Sequence, residues 1–187
     1  MVNVVFWVLT HEQRLLLWAN RRSQHRTVNR LLSGWLGTIT HTGGATFTLL
    51  TSLLIGLLAA GPWSTAGWQC FAATVISHVP VAIMKRKFSR LRPYQALTCV
   101  HVCKKPLRDS SFPSGHTTAI FAWLLPWLLA ADAALLPIML PAALLLGVSV
   151  GWSRMYLGLH YPSDVAIGAA IGSLVSLSVA ASWSSFF

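Results

Sequence analysis

Apolar residues in this chain come in blocks of nearly membrane length rather than in the alternation of strands. The blocks are Ala45–Ala60, Ala66–Met84, Thr117–Ala131 with a kink expected at Pro126, Ala133–Val150 and Val165–Ala181. Gly61-Pro62 turns the chain after the first, and Asp132 marks a tight turn between the third and fourth, which therefore read as a hairpin. Gly168 and Gly172 give the last block a small-residue face for close helix contact. Upstream, Thr10-His11-Glu12-Gln13 reads as a capping box opening a short helix through Trp18. From Val28, the positions Leu31, Leu32, Trp35, Leu36 and Ile39 recur at helical spacing with Arg26 and Arg30 off the stripe. That pattern predicts a helix lying in the membrane interface or tilting into it. The expected fold is an all-α, polytopic membrane helix bundle with five spans plus an N-terminal interfacial or spanning helix. It is one integral-membrane domain over residues 1–187, with amphipathic helices in 1–40 and the core bundle in 41–187.

Composition agrees with a bilayer. Hydrophobic residues make up 55% and charged residues 10%, far from the balance of about a quarter charged found in soluble domains. Lysine and arginine number 14 against four acids, Glu12, Asp109, Asp132 and Asp164, so a carboxylate-rich metal cage is hard to assemble. Five spans put the N-terminal region and the loops 85–115 and 151–163 on one face, and all 14 basic residues lie there. Recognition is therefore of anions: phospholipid headgroups or an anionic substrate at the membrane surface rather than nucleic acid. Cys70 lies in an apolar run and reads as packing. Cys99, His101 and Cys103 supply three ligands where structural zinc takes four, so no metal is expected, and a local Cys99–Cys103 pair stays open. Val4–Leu9 is too short for a signal peptide and no basic segment precedes it. His78, deep in the second span, is a functional candidate by its depth and equally a histidine bonded to a neighbouring helix, and it is left outside the core site.

Three stretches on the basic face carry candidate chemistry. Pro113-Ser114-Gly115-His116 opens a helix whose first backbone N–H groups lack intrahelical partners, a natural place for an anion. There Ser114 offers a hydroxyl, Gly115 lets a ligand approach the backbone, and His116 can give or take a proton. Lys85 and Arg92 are two helical turns apart, and both project from one face if the second span runs on until Pro93 stops it. Arg86, Lys87 and Arg90 alongside them read as a solvated juxtamembrane cluster. Ser153-Arg154 is followed by His160 and, four residues later in the first turn of the last helix, by Asp164. A carboxylate reaching back to His160 would fix its tautomer and leave the other nitrogen nucleophilic. Together these are the parts for metal-free phosphoryl transfer.

The three blocks Lys85-x6-Arg92-Pro93, Pro113-Ser114-Gly115-His116 and Ser153-Arg154-x5-His160-x3-Asp164 resemble, at every position and in order, the signature of the type 2 phosphatidic acid phosphatase superfamily. The resemblance implies a metal-independent, cofactor-free membrane phosphatase with a phosphohistidine intermediate. In it His160 attacks phosphorus, Asp164 orients the ring, and His116 protonates the leaving oxygen and later activates water. Lys85, Arg92, Ser114, Gly115 and Arg154 hold the phosphate. It also implies a bundle of about six helices and a lipid phosphate or diphosphate substrate such as undecaprenyl diphosphate, phosphatidylglycerophosphate or phosphatidate. A lipid phosphotransferase, and a non-catalytic protein that binds or transports anionic lipid, remain open beside it. Vanadium-dependent haloperoxidases share the pocket but are soluble. The cell membrane is the expected location, but its two faces compete: the charge rule puts the basic face in the cytoplasm, whereas the resemblance to bacterial enzymes implies the outer side. The choice of lipid and the oligomeric state are not legible in the sequence.

Overall fold

The structure, a computed structural model, describes residues 2–102 and 107–186. Its helices are α1 (Val2–Asn20), α2 (Arg26–Ile39), α3 (Ala45–Leu58), α4 (Pro62–Phe88), α5 (Pro93–Ala96), α6 (Gly115–Ala130), α7 (Leu136–Tyr156) and α8 (Pro162–Phe186). A 3-10 turn at Thr40–Gly43 links α2 to α3, and no strand occurs among the described residues.

α6 is the axis of the bundle. It packs against α8, α4, α7 and α3, and its residues Thr117, Thr118, Ala119, Ile120, Ala122, Leu124 and Trp127 are buried. The expected small-residue face of α8 is what brings it so close. A Cβ at Gly168 would stand 2.6 Å from the Ser114 carbonyl oxygen, and one at Gly172 would strike that of Thr118. The backbone of α8 therefore lies directly on the first turns of α6, and the Ser114 amide donates to the Asp164 carbonyl at 3.0 Å. Two of the three sequence blocks are joined by that bond.

Span lengths depart from expectation. Among the described residues, three helices are long and apolar enough to cross a membrane by length and composition: the one from Pro62, Leu136–Tyr156 and the one from Pro162. The bent pair Arg26–Gly43 and Ala45–Leu58, which meet at 55°, passes only jointly, making up to four. α3 and α6 have 14 and 16 residues, short of the roughly 20 a lone span needs. The physical reason differs for each. The 3-10 turn and the extended Gly44 (ψ 141°) separate residues 40–44 from α3, whereas α6 is enclosed by other helices along much of its length. Pro126 lies inside α6 without ending it.

The N-terminal region also differs. α1 runs continuously through Thr10, so no cap opens there. Its residues Glu12, Leu16, Ala19 and Asn20 are buried along one face, while Leu15, Leu17 and Trp18 are exposed. Asn20 ties α1 down by donating to the carbonyls of His101 (2.9 Å) and Tyr156 (2.8 Å). α2 follows the predicted stripe, with Leu36 buried and Leu31, Leu32 and Trp35 facing outward.

Candidate active site

Each block reaches the site by a different local route. α4 ends at Ser89, whose left-handed backbone (φ 41°, ψ 36°) turns the chain aside. Lys85 therefore sits on the last turn of α4, but Arg92 lies beyond it in extended chain before α5, so the single helix face expected for both does not exist. They meet instead through Asp109. Its carboxylate pairs with Lys85 and, at 2.7 Å, with Arg92 Nη2. Arg154 is likewise not in a loop: α7 runs six residues past the expected end and carries it, buried, on its last turn. Ser114 is the N-cap of α6, accepting from the Thr117 amide (3.4 Å) and hydroxyl (2.9 Å). Both contacts use its oxygen as acceptor, so its own hydrogen is left to donate.

His160 is buried between α7 and α8, and its partners fix its tautomer. Nδ1 lies 2.6 Å from the Ser111 carbonyl oxygen, an acceptor only. Nε2 lies 3.2 Å from Arg92 Nη1, a donor only. The proton is thus assigned to Nδ1 and the lone pair to Nε2. Burial foremost, then the positive charges of Arg154, Arg92 and Lys85, hold its pKa well below the usual 6.5, so the ring is neutral at neutral pH. The expected contact to Asp164 is longer than a hydrogen bond, 3.6 Å from Nδ1. The carboxylate faces a carbonyl-bonded ring and is itself held by the Tyr161 amide (2.8 Å) and Arg90 Nη1 (2.7 Å).

The cations converge on this ring. Arg92 also donates to the Leu159 carbonyl (2.9 Å) and, through Nε, to the Asp109 carbonyl (2.9 Å). Arg154 donates to Thr40 Oγ1 at 2.9 Å, while its buried Nε has no partner among the described residues. A buried donor of this kind, not used by the protein's own acceptors, suits an anionic ligand. His116, partly exposed at the start of α6 beside Gly115, is within electrostatic reach of Arg154, His160, His41 and Lys85. Arg92, Arg154, Ser114, His160 and Asp164 are all buried, so the approach from outside is on the side of His116, Gly115 and Lys85. All eight residues singled out by sequence thus gather at one end of the bundle.

Three more residues join them that spacing did not reveal. Asp109 bridges two cations: burial pushes its pKa up, but the hydrogen bonds and charges of Lys85 and Arg92 together bring it down to about 2. Arg90, expected in a solvated cluster with Arg86 and Lys87, instead links Asp164 to Glu12 (2.7 Å each). With only four acids in the chain, their scarcity was the one available signal. His78 bonds the Thr74 carbonyl of its own helix (2.7 Å) and stays outside the site. Cys70 is buried and donates to the Trp123 carbonyl at 3.0 Å. Cys103 lies outside the described residues, and with it the Cys99–Cys103 pair and the Cys99/His101/Cys103 trio.

A sequence profile of the PAP2 superfamily matches residues 66–186. Over 141 residues the chain is 34% identical to decaprenylphosphoryl-5-phosphoribose phosphatase of Mycobacterium tuberculosis, covering 73% of this chain and 72% of that one. Lipid A 1-phosphatase of Rhizobium etli is 33% identical over 118 residues, or 61% of this chain and 49% of that one. The crystal structure of a transmembrane PAP2 type phosphatidylglycerolphosphate phosphatase from Bacillus subtilis matches with a TM-score of 0.75 at 22% identity. It covers 96% of this chain and 88% of that one, a likeness of fold.

Proposed function

This chain belongs to the PAP2 superfamily, and on that premise we propose that it is a multi-pass membrane phosphatase. It hydrolyses a lipid phosphate or diphosphate through a phosphohistidine intermediate without a metal ion. The observation that carries this reading is the neutral His160 ring, with Nε2 turned toward Arg92 and the charges of Arg154 and Lys85 close by.

The steps follow from those contacts. Substrate phosphate displaces Asp109 from Lys85 and Arg92 and satisfies the unpartnered Nε of Arg154, with the Ser114 hydroxyl and the Gly115 amide completing the cradle. Nε2 attacks phosphorus in line, the N–P bond forms, and the bond from phosphorus to the lipid oxygen breaks. His116 enters this step as imidazolium, its second ring proton balanced by the anionic substrate phosphate, and gives that proton to the leaving oxygen to become neutral imidazole. It then takes a proton from water, whose oxygen attacks phosphorus; the N–P bond breaks and His160 returns neutral, its Nδ1–H still donating to the Ser111 carbonyl. Asp164 supplies negative charge beside the ring while that ring is an imidazolium.

A lipid substrate is favoured by what lies below His116. Trp123 and Trp127 follow it by about two and three turns on the same stripe of α6. They line an apolar groove of about 430 Å³ with Trp63, Leu128, Met139 and Leu146. A hydrocarbon chain on the leaving oxygen would run down this stripe. We also propose that α6, enclosed at the centre, and α3, in continuation of the bent α2, cross the bilayer with the three longer helices. The test is phosphate release from undecaprenyl diphosphate, phosphatidylglycerophosphate and phosphatidate in detergent or liposomes. Turnover of at least one of these that His160→Ala abolishes is expected; lipid binding without phosphate release would favour a transport protein instead.

A further inference from the structure

α1 precedes the residues that the family profile matches, yet its buried face leads straight to the catalytic carboxylate. Glu12, Leu16 and Asn20, four apart, form one stripe, and Glu12 retains only 8% of its exposure. Its carboxylate accepts from Arg90 Nη2 at 2.7 Å through one oxygen. Through the other it accepts from the Ser163 amide at 3.0 Å and from the Ser163 hydroxyl. Arg90 in turn donates through Nη1 to Asp164 Oδ1 and to Ser163 Oγ, both at 2.7 Å. Its guanidinium also lies over the Tyr161 ring, 4.1 Å from the centroid. The other oxygen of Asp164 is the one 3.6 Å from His160 Nδ1. A continuous line of charge therefore runs Glu12, Arg90, Asp164, His160.

Charge balance gives the line a purpose. An N-phosphorylated His160 is an imidazolium, and it forms among Lys85 at the end of α4, Arg92 before α5 and Arg154 on α7, with His116 of α6 also in reach. Asp109 belongs to the side of Lys85 and Arg92, which is the Nε2 side of the ring, and the substrate phosphate displaces it from those cations. The negative charge on the Nδ1 side is Asp164, and Arg90 alone would neutralise it. With Glu12 on the other arm of the same guanidinium, the three groups carry a net charge of minus one. Both carboxylates are also buried, so neither is dispersed by water as a surface pair would be.

We propose that Glu12 is a positioning residue of the active site: by sharing Arg90 with Asp164 it fixes that carboxylate beside the His160 ring and leaves it a net negative charge to stabilise the phosphoimidazolium. The inference rests on His160 being the nucleophile. It makes α1 part of the working enzyme rather than an accessory anchor.

The experiment uses the full-length chain with a lipid phosphate substrate, comparing wild type, Glu12→Gln, Glu12→Asp and His160→Ala, with activities normalised to folded protein. Glu12→Gln is expected to lower kcat about 10- to 100-fold with KM for lipid changed less than about twofold, since substrate phosphate is bound by other residues. The acid limb of kcat/KM should move to lower pH, because loss of a negative charge makes His160 harder to protonate. Glu12→Asp, which keeps the charge on a shorter arm, should fall between the two in kcat with the limb of the wild type. If Glu12→Gln does not fold, Glu12→Asp decides alone: a lowered kcat at unchanged KM supports the role. Unchanged kcat in whichever variant folds, a rise in KM alone, or an Asp variant no better than the Gln variant would overturn the proposal. Turnover retained by His160→Ala would remove the nucleophile reading itself, whatever Glu12 does, and the proposal with it.

Discussion

At the scale of single residues, the decisive feature is that the acceptor on His160 Nδ1 is the Ser111 carbonyl rather than Asp164. A carbonyl cannot be protonated at working pH, so the tautomer survives mild acid even if the carboxylate does not. The imidazole itself sets the acid limit. Its folded pKa is depressed by burial and by Arg154, Arg92 and Lys85. Between that value and about 6.5 the unfolded chain binds a proton that the folded chain does not. The slope of unfolding free energy with pH is then positive, so His160 makes the protein lose stability as pH falls below about 6.5. His160→Ala should flatten that acid-side loss in a thermal-shift titration; an unaltered profile would contradict the burial argument. Asp109 is charged throughout this range, its pKa near 2, and it competes with phosphate for Lys85 and Arg92. Asp109→Asn should tighten product inhibition by inorganic phosphate by about tenfold, about 1.4 kcal/mol. Weaker inhibition would mean that Asp109 serves chiefly to hold the two cations in place. The eight residues chosen from spacing were legible because each block is short and local. Glu12, Arg90 and Asp109 were not, because their roles depend on chain separations such as the 78 residues between Glu12 and Arg90.

At the scale of elements, the site depends on how closely α8 lies on α6. Gly168 faces the Ser114 carbonyl, so any side chain there pushes apart the elements that carry Ser114 and Asp164. Gly168→Val should lower the melting temperature and reduce kcat at least about tenfold, as overpacking of a tight contact typically disfavours folding by about 1–3 kcal/mol. A variant with wild-type stability and activity would show that the close contact is dispensable. Helix existence was readable from apolar blocks, and the glycine pair correctly announced a close contact. Helix ends were not readable. α7 continues past Val150 because Gly151, Trp152 and Ser153 find buried or half-buried surroundings that a hydropathy window cannot see. α4 stops before Arg92 because Ser89 turns the chain, and no Gly or Pro stands at residue 89 to signal it. The capping box at Thr10 failed for the opposite reason: α1 simply continues through it.

At the scale of the whole molecule, charge and chemistry are segregated at one end of the bundle, with apolar surface such as Leu54, Leu58, Leu140 and Leu145 exposed along the rest. The sequence places all 14 lysines and arginines in the N-terminal region and the segments 85–115 and 151–163, and from that placement the positive-inside rule predicts a cytoplasmic site. Cys99 is exposed in the same basic loop and has no disulfide partner among the described residues, whereas Cys70 is buried. An impermeant thiol reagent should therefore label the protein only after cells are permeabilised; labelling of intact cells would put the site on the outer side. Because Lys85, Arg92 and Arg154 supply the positive charge that a metal would otherwise bring, turnover should persist in excess chelator. Strong chelator inhibition would point back to the loop around Cys99 and His101. The most direct test of the account is single-turnover quenching in alkaline denaturant with lipid carrying labelled terminal phosphate. Acid-labile, base-stable label on the protein, up to one per chain and missing in His160→Ala, is the predicted result. Normal phosphate release with no protein-bound label at any quench time would contradict it.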